Sequence, residues 1–354
     1  MTADDVTLED LPLREDLRGA SPYGAPQLDV PIRLNTNENP YPPSPRVLEA
    51  IARAADASVR LYPDPEAHAL RARAARVYGV PADHIMAGNG SDELLALVLR
   101  ATIDPGDRVA FPVPTYSLYE TLVAVQGGTA VRVPFPDDFS LPPALGATRA
   151  RVTFLCNPNS PSGTLVPLER VEALARALPG LLVVDEAYVD FAREHALGLV
   201  GRLPNVLVLR TLSKSFSLAG LRVGLAFGHP DLLAGLRTVK DSYNLSRLSQ
   251  AAGEAALGDL PWMEANLARI KATRARLTAE LVRLGFRVPP SEANFVLARR
   301  PGVDLGPVAR ALAARDILVR HFAVPGLHDA LRITVGTDAE VDALLAALGE
   351  MVRA

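Results

Sequence analysis

Lysine is nearly missing from this chain of 354 residues: three of its 37 basic residues are lysine, at Lys214, Lys240 and Lys271, and arginine fills the other basic positions. None of the three follows a glycine. That excludes a phosphate-cradling G-x-x-x-x-G-K-[ST] loop and, with it, a P-loop ATPase. Cysteine occurs once, at Cys156, which excludes an intrachain disulfide framework and points to a reducing compartment. The six histidines are scattered, with no H-E-x-x-H or paired Cys/His spacing, so no metal site is expected. No run approaches 18 apolar residues, and the start, MTADDVTLEDLPLRED, is acidic rather than basic and then apolar. A cytoplasmic protein with no membrane segment is the expectation. Charge of one sign is lacking too. The formal net charge is −3 and well mixed, so no footprint for nucleic acid or an anionic membrane exists. The densest basic runs, LRARAAR (70–76) and KATRAR (271–276), read as solvated helix faces.

What is present is alternation. After about 40 residues rich in Pro and Asp, helical patterning covers 44–58 and 66–78. From residue 84 short β-branched runs alternate with amphipathic segments: HIMAG, a helix at 92–101, DRVAFP, a helix at 115–126, TAVRVP, RVTFLC, a helix at 167–177, LLVVDE, NVLVLR and VGLAFG. Such a pattern predicts an α/β fold whose mostly parallel sheet is flanked by helices, with ligands beyond the carboxyl ends of the strands. Helices at 230–242, 246–258 and 262–284 follow. Strand-like NFVLAR, ILVR and LRITV, with helices at 305–315 and 338–351, predict a smaller α+β domain. The expected organisation is an arm at 1–40, a large domain at 41–245 and a small domain at 246–354. No internal repeat or low-complexity tract is found.

Two features carry chemistry. Lys214 sits in TLSKSFSLAGLRVG between two serines. Unlike a guanidinium, an ε-amine sheds its proton when desolvated and then attacks a carbonyl, although an arginine-rich composition alone also leaves few lysines. The strand LLVVDE ends in Asp185 and Glu186. A strand-end acid of this kind either holds Mg²⁺ in an ATPase, which the missing P-loop disfavours, or faces a cofactor needing a buried negative charge. A carboxylate against a pyridinium nitrogen keeps that ring electron-withdrawing. With a carbonyl-attacking lysine, it specifies pyridoxal 5′-phosphate (PLP).

Asn157 in CNPNSPSG, Asp185 and Tyr188 in DEAY, and Lys214 and Arg222 in TLSKSFSLAGLRVG occur in the order and spacing that mark fold-type I PLP-dependent aminotransferases. The chain resembles class I/II of that superfamily. NENPYPPSP (37–45), RLYPDPEAHALR (60–71), GNGSDE (88–93) and LRITVGT (331–337) add a resemblance to its histidinol-phosphate aminotransferase branch. The motifs run from residue 35 to residue 337, almost the whole chain.

The resemblance implies roles residue by residue. Lys214 would hold PLP covalently and move the reacting proton. Asn157 and Tyr188 would bond the cofactor's phenolic oxygen and Asp185 its ring nitrogen, with Tyr116 stacked on the ring. Gly90, Ser91 and Asp92 at a helix start, with Thr211, Ser213 and Arg222, would cup the phosphate. There Asp92 is expected to cap the helix through its side chain. Tyr62 would reach the partner's cofactor in an obligate homodimer with shared sites. Tyr23, Asn37 and Asn157 would line the substrate side, while Arg320 and Arg332 would bind its phosphate and the carboxylate of glutamate. The implied reaction transfers the amino group of L-histidinol phosphate to 2-oxoglutarate, giving imidazole acetol phosphate and L-glutamate, in histidine biosynthesis. Three alternatives share these features: an aromatic amino-acid aminotransferase, a threonine-phosphate decarboxylase, and a regulator that binds PLP without turnover. Pro42 and His321 depart from the branch's pattern.

Overall fold

Eleven strands build two sheets in the computed structural model, which describes residues 11–15, 18, 24, 28–324 and 326–353. In chain order they are β1 (Ile32–Leu34), β2 (Ile85–Asn89), β3 (Arg108–Val113), β4 (Thr129–Pro134), β5 (Val152–Cys156), β6 (Leu181–Asp185), β7 (Val206–Thr211), β8 (Val223–Phe227), β9 (Phe295–Arg299), β10 (Ile317–His321) and β11 (Ala330–Thr334). The larger sheet has the order β2-β8-β7-β6-β5-β3-β4. Every neighbour pair is parallel except those of β8, which runs antiparallel to both β2 and β7.

Every residue of β5, β7 and β8 is buried, as expected of strands covered by helices on both faces. Side chains alternate between two apolar layers. Leu182 and Val184 of β6 pack into one, with Leu155 and Val206. Val183 enters the other, with Phe154, Leu207 and Leu94 of helix Gly90–Thr102.

The smaller sheet has the order β1-β10-β11-β9. Its strand β1 comes from the stretch expected to be an extended arm, and it pairs in parallel with β10, Ile32 opposite Ile317. A strand of three residues is too short to show periodicity, so pairing rather than pattern defines it. Helix Leu260–Arg283 joins the two cores. Leu260 and Met263 pack on the large-sheet core, and Ile270, Leu277 and Leu281 on the small-sheet core.

One edge of the large sheet collects the chemistry. β5, β6 and β7 end there side by side, Cys156 opposite Asp185. Because β8 is antiparallel it starts at that edge, Val223 opposite Asn89 and Gly224 opposite Thr211. That reversal sets Arg222 beside Gly90 and Ser213. Among the described residues no helix is long and apolar enough to cross a membrane.

Candidate active site

A cavity of about 160 Å³ opens at this edge, walled on the other side by Arg332 of β11. Lys214, three residues past the end of β7, reaches into it, and its Nζ donates to the Thr36 carbonyl at 3.0 Å. Asn39 Nδ2 donates to the carbonyls of Lys214 and Ser215, at 3.0 and 3.1 Å, and fixes that backbone. Burial, and secondarily the Arg332 charge, pull the Lys214 amine down to about 8. A desolvated ammonium facing a guanidinium gives up its proton more readily.

Asp185 closes the cavity floor. Its Oδ2 accepts from the Tyr119 hydroxyl at 2.7 Å and its Oδ1 from the Ala187 amide at 3.2 Å. Burial raises its carboxyl to about 6 despite these donors. Tyr188 lines the same cavity and accepts from Asn37 Nδ2 at 3.0 Å, while burial pushes its phenol up to about 12. Asn37 holds a left-handed φ of 58°. The Thr334 hydroxyl, which accepts from its amide and donates to its Oδ1, and Asn294, which donates to its carbonyl, secure it there. Asn157 is buried, but its side chain is fastened to the Val166 backbone, donating at 3.0 Å and accepting at 2.8 Å. One amide N–H of Asn157 is left over.

At the opposite end Ser91, Thr211 and Ser213 line the wall. Arg222, itself at a left-handed φ of 51°, points Nη1 to Ser213 Oγ at 3.4 Å and Nη2 to Asp92 Oδ2 at 2.9 Å. Tyr116 donates to Asp92 Oδ1 at 3.0 Å. Asp92 therefore does not cap its helix, contrary to expectation: its carboxylate turns to a guanidinium and a phenol. Glu93 reaches back instead, its Oε2 accepting from the Asn89 amide at 2.5 Å. Gly90 has φ +81°, and a Cβ there would lie 2.5 Å from Arg222 Nη2. Only glycine lets the guanidinium settle on that turn.

Arg332 donates to Ser160 Oγ at 3.1 Å and to the Asn35 carbonyl at 2.8 Å. Arg320 is its cross-strand partner in the β10–β11 register, yet it lies outside the Lys214 cavity. It lines an adjoining groove of about 900 Å³ and sits 5.4 Å over the Phe322 ring. Tyr116 borders both spaces. Tyr62 is far more exposed, at 76 %, and stacks on Tyr243 with centroids 4.2 Å apart. Tyr23 lies outside the described residues.

Thr36, Asn39, Tyr119 and Ala187 were not singled out from the sequence. Thr36 and Ala187 act through backbone atoms, which leave no residue-type signal. Asn39 stood inside the noted NENPYPPSP stretch, and Tyr119 lies three residues after Tyr116. Among the described residues no group of three or more His, Cys, Asp or Glu is placed to hold a metal.

Known proteins resemble this chain along almost its whole length. A protein named histidinol-phosphate aminotransferase 1 from Trichormus variabilis is 46% identical, covering 91% of this chain and 92% of its own length. The histidinol-phosphate aminotransferase of Citrifermentans bemidjiense is also 46% identical, over 96% of this chain and 98% of that one. The crystal structure of histidinol-phosphate aminotransferase from Sinorhizobium meliloti in complex with pyridoxal-5′-phosphate has a TM-score of 0.85 at 34% identity, covering 92% of this chain and 91% of that chain. The family described as aminotransferase class I and II matches residues 29–348, and the chain belongs to it.

Proposed function

We propose that this protein is a PLP-dependent aminotransferase that moves the amino group of L-histidinol phosphate to 2-oxoglutarate. The observation that carries it is one cavity holding a desolvated lysine amine, a buried carboxylate and an arginine-serine cup, in a chain 46% identical to relatives bearing that name.

The donor set fits PLP. Lys214 suits an aldehyde, Asp185 a ring nitrogen, and Arg222, Ser213 and the amides of helix Gly90–Thr102 a phosphate dianion. Gly90 and Gly224 leave the space this cup needs, since a Cβ at Gly224 would lie 2.5 Å from the Gly90 carbonyl carbon. When bound, PLP supplies an electrophilic carbonyl and a cationic ring that draws electrons from the carbon bearing the transferred nitrogen.

This chain's own residues do the rest. Lys214 Nζ, held near neutrality at about 8, takes the proton from the substrate α-carbon and returns it in the reverse direction. Asp185 stays anionic at neutral pH and keeps the ring charged. Tyr188 and the spare Asn157 amide N–H serve the phenolic oxygen, and Tyr116 flanks the ring. Arg332 binds the substrate's anionic group, and Arg320, on the neighbouring strand, adds a second cation for the phosphate of the amino donor. Residues 35–39 cover the Lys214 side through the Thr36 carbonyl and Asn39.

We assign residues 41–245 to a cofactor-binding domain and 246–354 to a smaller one. The arm, 1–40, contributes β1 to the small sheet. The exposed Tyr62–Tyr243 stack, with Val59 and Leu61 beside it, is the surface we assign to a second copy, so that each site draws on two chains. The single cysteine, buried and free, supports a cytoplasmic location.

The test is a donor panel on the PLP-loaded full chain, with histidinol phosphate, phenylalanine and threonine phosphate compared by kcat/KM. Histidinol phosphate is expected to lead. A preference for phenylalanine, or carbon dioxide released from threonine phosphate, overturns the substrate assignment. Bound PLP with no amine exchange from any donor overturns the enzyme.

A further inference from the structure

Tyr119 is 0 % exposed and packs against three aromatic rings. It stacks on Phe154 of β5 at 4.8 Å, lies tilted to Phe111 of β3 at 6.0 Å, and meets Tyr116 edge-on at 5.6 Å. An apolar residue would satisfy all three neighbours. Yet the position carries a hydroxyl, and that hydroxyl makes a 2.7 Å bond to Asp185 Oδ2.

We infer that Tyr119 is a positioning residue for Asp185: it locks the carboxylate's orientation, keeps it anionic at neutral pH, and so sets how firmly the site holds a cationic ring. The inference rests on the reading of Asp185 as the partner of the PLP ring nitrogen.

The geometry gives the reason. A carboxylate held by one donor rotates about its Cα–Cβ and Cβ–Cγ bonds, whereas Asp185 is held at both oxygens, by Tyr119 Oη and by the Ala187 amide. So fixed, the carboxylate lines the cavity. Tyr119 keeps the proton it donates, because burial raises its phenol well above the ordinary value. Burial also raises Asp185, to about 6, and the hydroxyl works against that rise. Asp92 and Glu186 push the carboxyl further upward. Lys214, Arg222, Tyr188 and Cys156 share its cavity. The same tyrosine abuts Tyr116, whose hydroxyl bonds Asp92, the partner of Arg222. One buried residue thus links the acid at one end of the site to the anion cup at the other.

The experiment compares wild type, Tyr119→Phe, and a chain with 3-fluorotyrosine at position 119. Phenylalanine preserves the ring contacts, and the fluorinated phenol is a stronger donor. In the PLP-free full chain the Asp185 carboxyl is followed by carbon-detected NMR. Tyr119→Phe is expected to raise its midpoint by about one pH unit, a tenfold change in proton affinity, and fluorotyrosine to lower it. In the PLP-loaded chain, the Kd for PLP at neutral pH is expected to rise about tenfold in Tyr119→Phe, as for loss of one bond to a charged group. Its kcat should fall more than KM changes, with thermal unfolding of the PLP-free chain shifted by no more than a few degrees.

Unchanged Asp185 midpoints across the three chains overturn the inference, as does an equal PLP Kd in wild type and Tyr119→Phe. Failure of wild type to bind PLP overturns the functional reading instead, and the NMR midpoints still decide the role of Tyr119.

Discussion

Lys214 Nζ and the carbonyl oxygen of Thr36 lie 3.0 Å apart although 178 residues separate them in the chain. The contact joins the strand end that carries the amine to the segment leaving the small sheet. Asn39 reinforces it by holding the Lys214 backbone from the same side. The nucleophile is therefore oriented by a piece of chain entering from the other sheet.

The depressed proton affinity of Lys214 sets a pH profile. Only the neutral amine attacks a carbonyl, so capture of pyridoxal by the PLP-free chain, trapped with borohydride, should climb with pH through a midpoint near 8 and then level off. An unperturbed lysine would reach its midpoint only at about 10.4. Lys214→Arg retains the charge but should capture nothing at position 214, since a guanidinium does not lose its proton. Profiles of trapped adduct against pH check this, and one still rising at about pH 10 contradicts it.

Asp185 should weaken the PLP-free fold at neutral pH. Its folded value, about 6, lies above the ordinary 3.8. The folded chain therefore keeps the proton to higher pH than the unfolded one, and the associated stability is present below 3.8 and lost as pH rises through 6. Asp185→Asn carries no charge to bury. It should raise the stability of the PLP-free chain at pH 7.5 by about 1–3 kcal/mol, a gain that shrinks towards pH 4. The same variant should lose most PLP affinity. Denaturant melts at several pH values, beside PLP titrations, measure both.

Gly90→Ala should damage the phosphate cup. The added methyl would press on the Arg222 guanidinium at 2.5 Å, on a backbone at φ +81°. A tenfold or greater rise in the Kd for PLP is expected, from loss of a bond to a charged group worth about 1.5–3 kcal/mol. Gly79→Ala is the control, since its φ is +66° and nothing lies within 4 Å of its Cβ. It imposes comparable backbone strain without touching the site, and its PLP affinity should match wild type.

The two arginines of β10 and β11 should separate by substrate. Arg332→Ala is expected to lower kcat/KM for both the amino donor and 2-oxoglutarate, by about 10- to 150-fold, the worth of one charge-assisted bond. Arg320 faces the adjoining groove, and Arg320→Ala should fall chiefly on the phosphorylated donor. Half-reaction kinetics with each substrate tell them apart. An equal loss on both substrates in Arg320→Ala contradicts the split.

Behind Asp185, Glu186 and Arg210 form a 2.9 Å ion pair with side chains only 1% and 7% exposed. Glu186 also accepts from the Ala196 amide. Arg210→Met would strand that carboxylate, costing about 3–5 kcal/mol of stability. Adding Glu186→Gln should recover much of it, because the buried charge is then gone. Equilibrium unfolding of the single and double variants decides the point.

Much of this was legible in the residues themselves. Alternating apolar runs marked β2 to β8, because side-chain period and β-branching are local properties. Strand direction is not local. Nothing in VGLAFG announces that β8 runs against its neighbours, and that reversal is what carries Arg222 to Gly90 and Ser213. Lys214 stood out by its scarcity, Asp185 by its place at a strand end, and Arg222 by its place in TLSKSFSLAGLRVG.

Residue type and order, then, determined the kinds of element, the family and the candidate reactive groups, since these depend on side-chain chemistry and short-range spacing. Tertiary structure alone decided the rest. It turned Asp92 from a helix cap into a partner of Arg222, placed Arg320 in the groove beside the cavity, and brought the Thr36 carbonyl to the lysine. Each depends on backbone atoms or on long-range register, which only folding brings together.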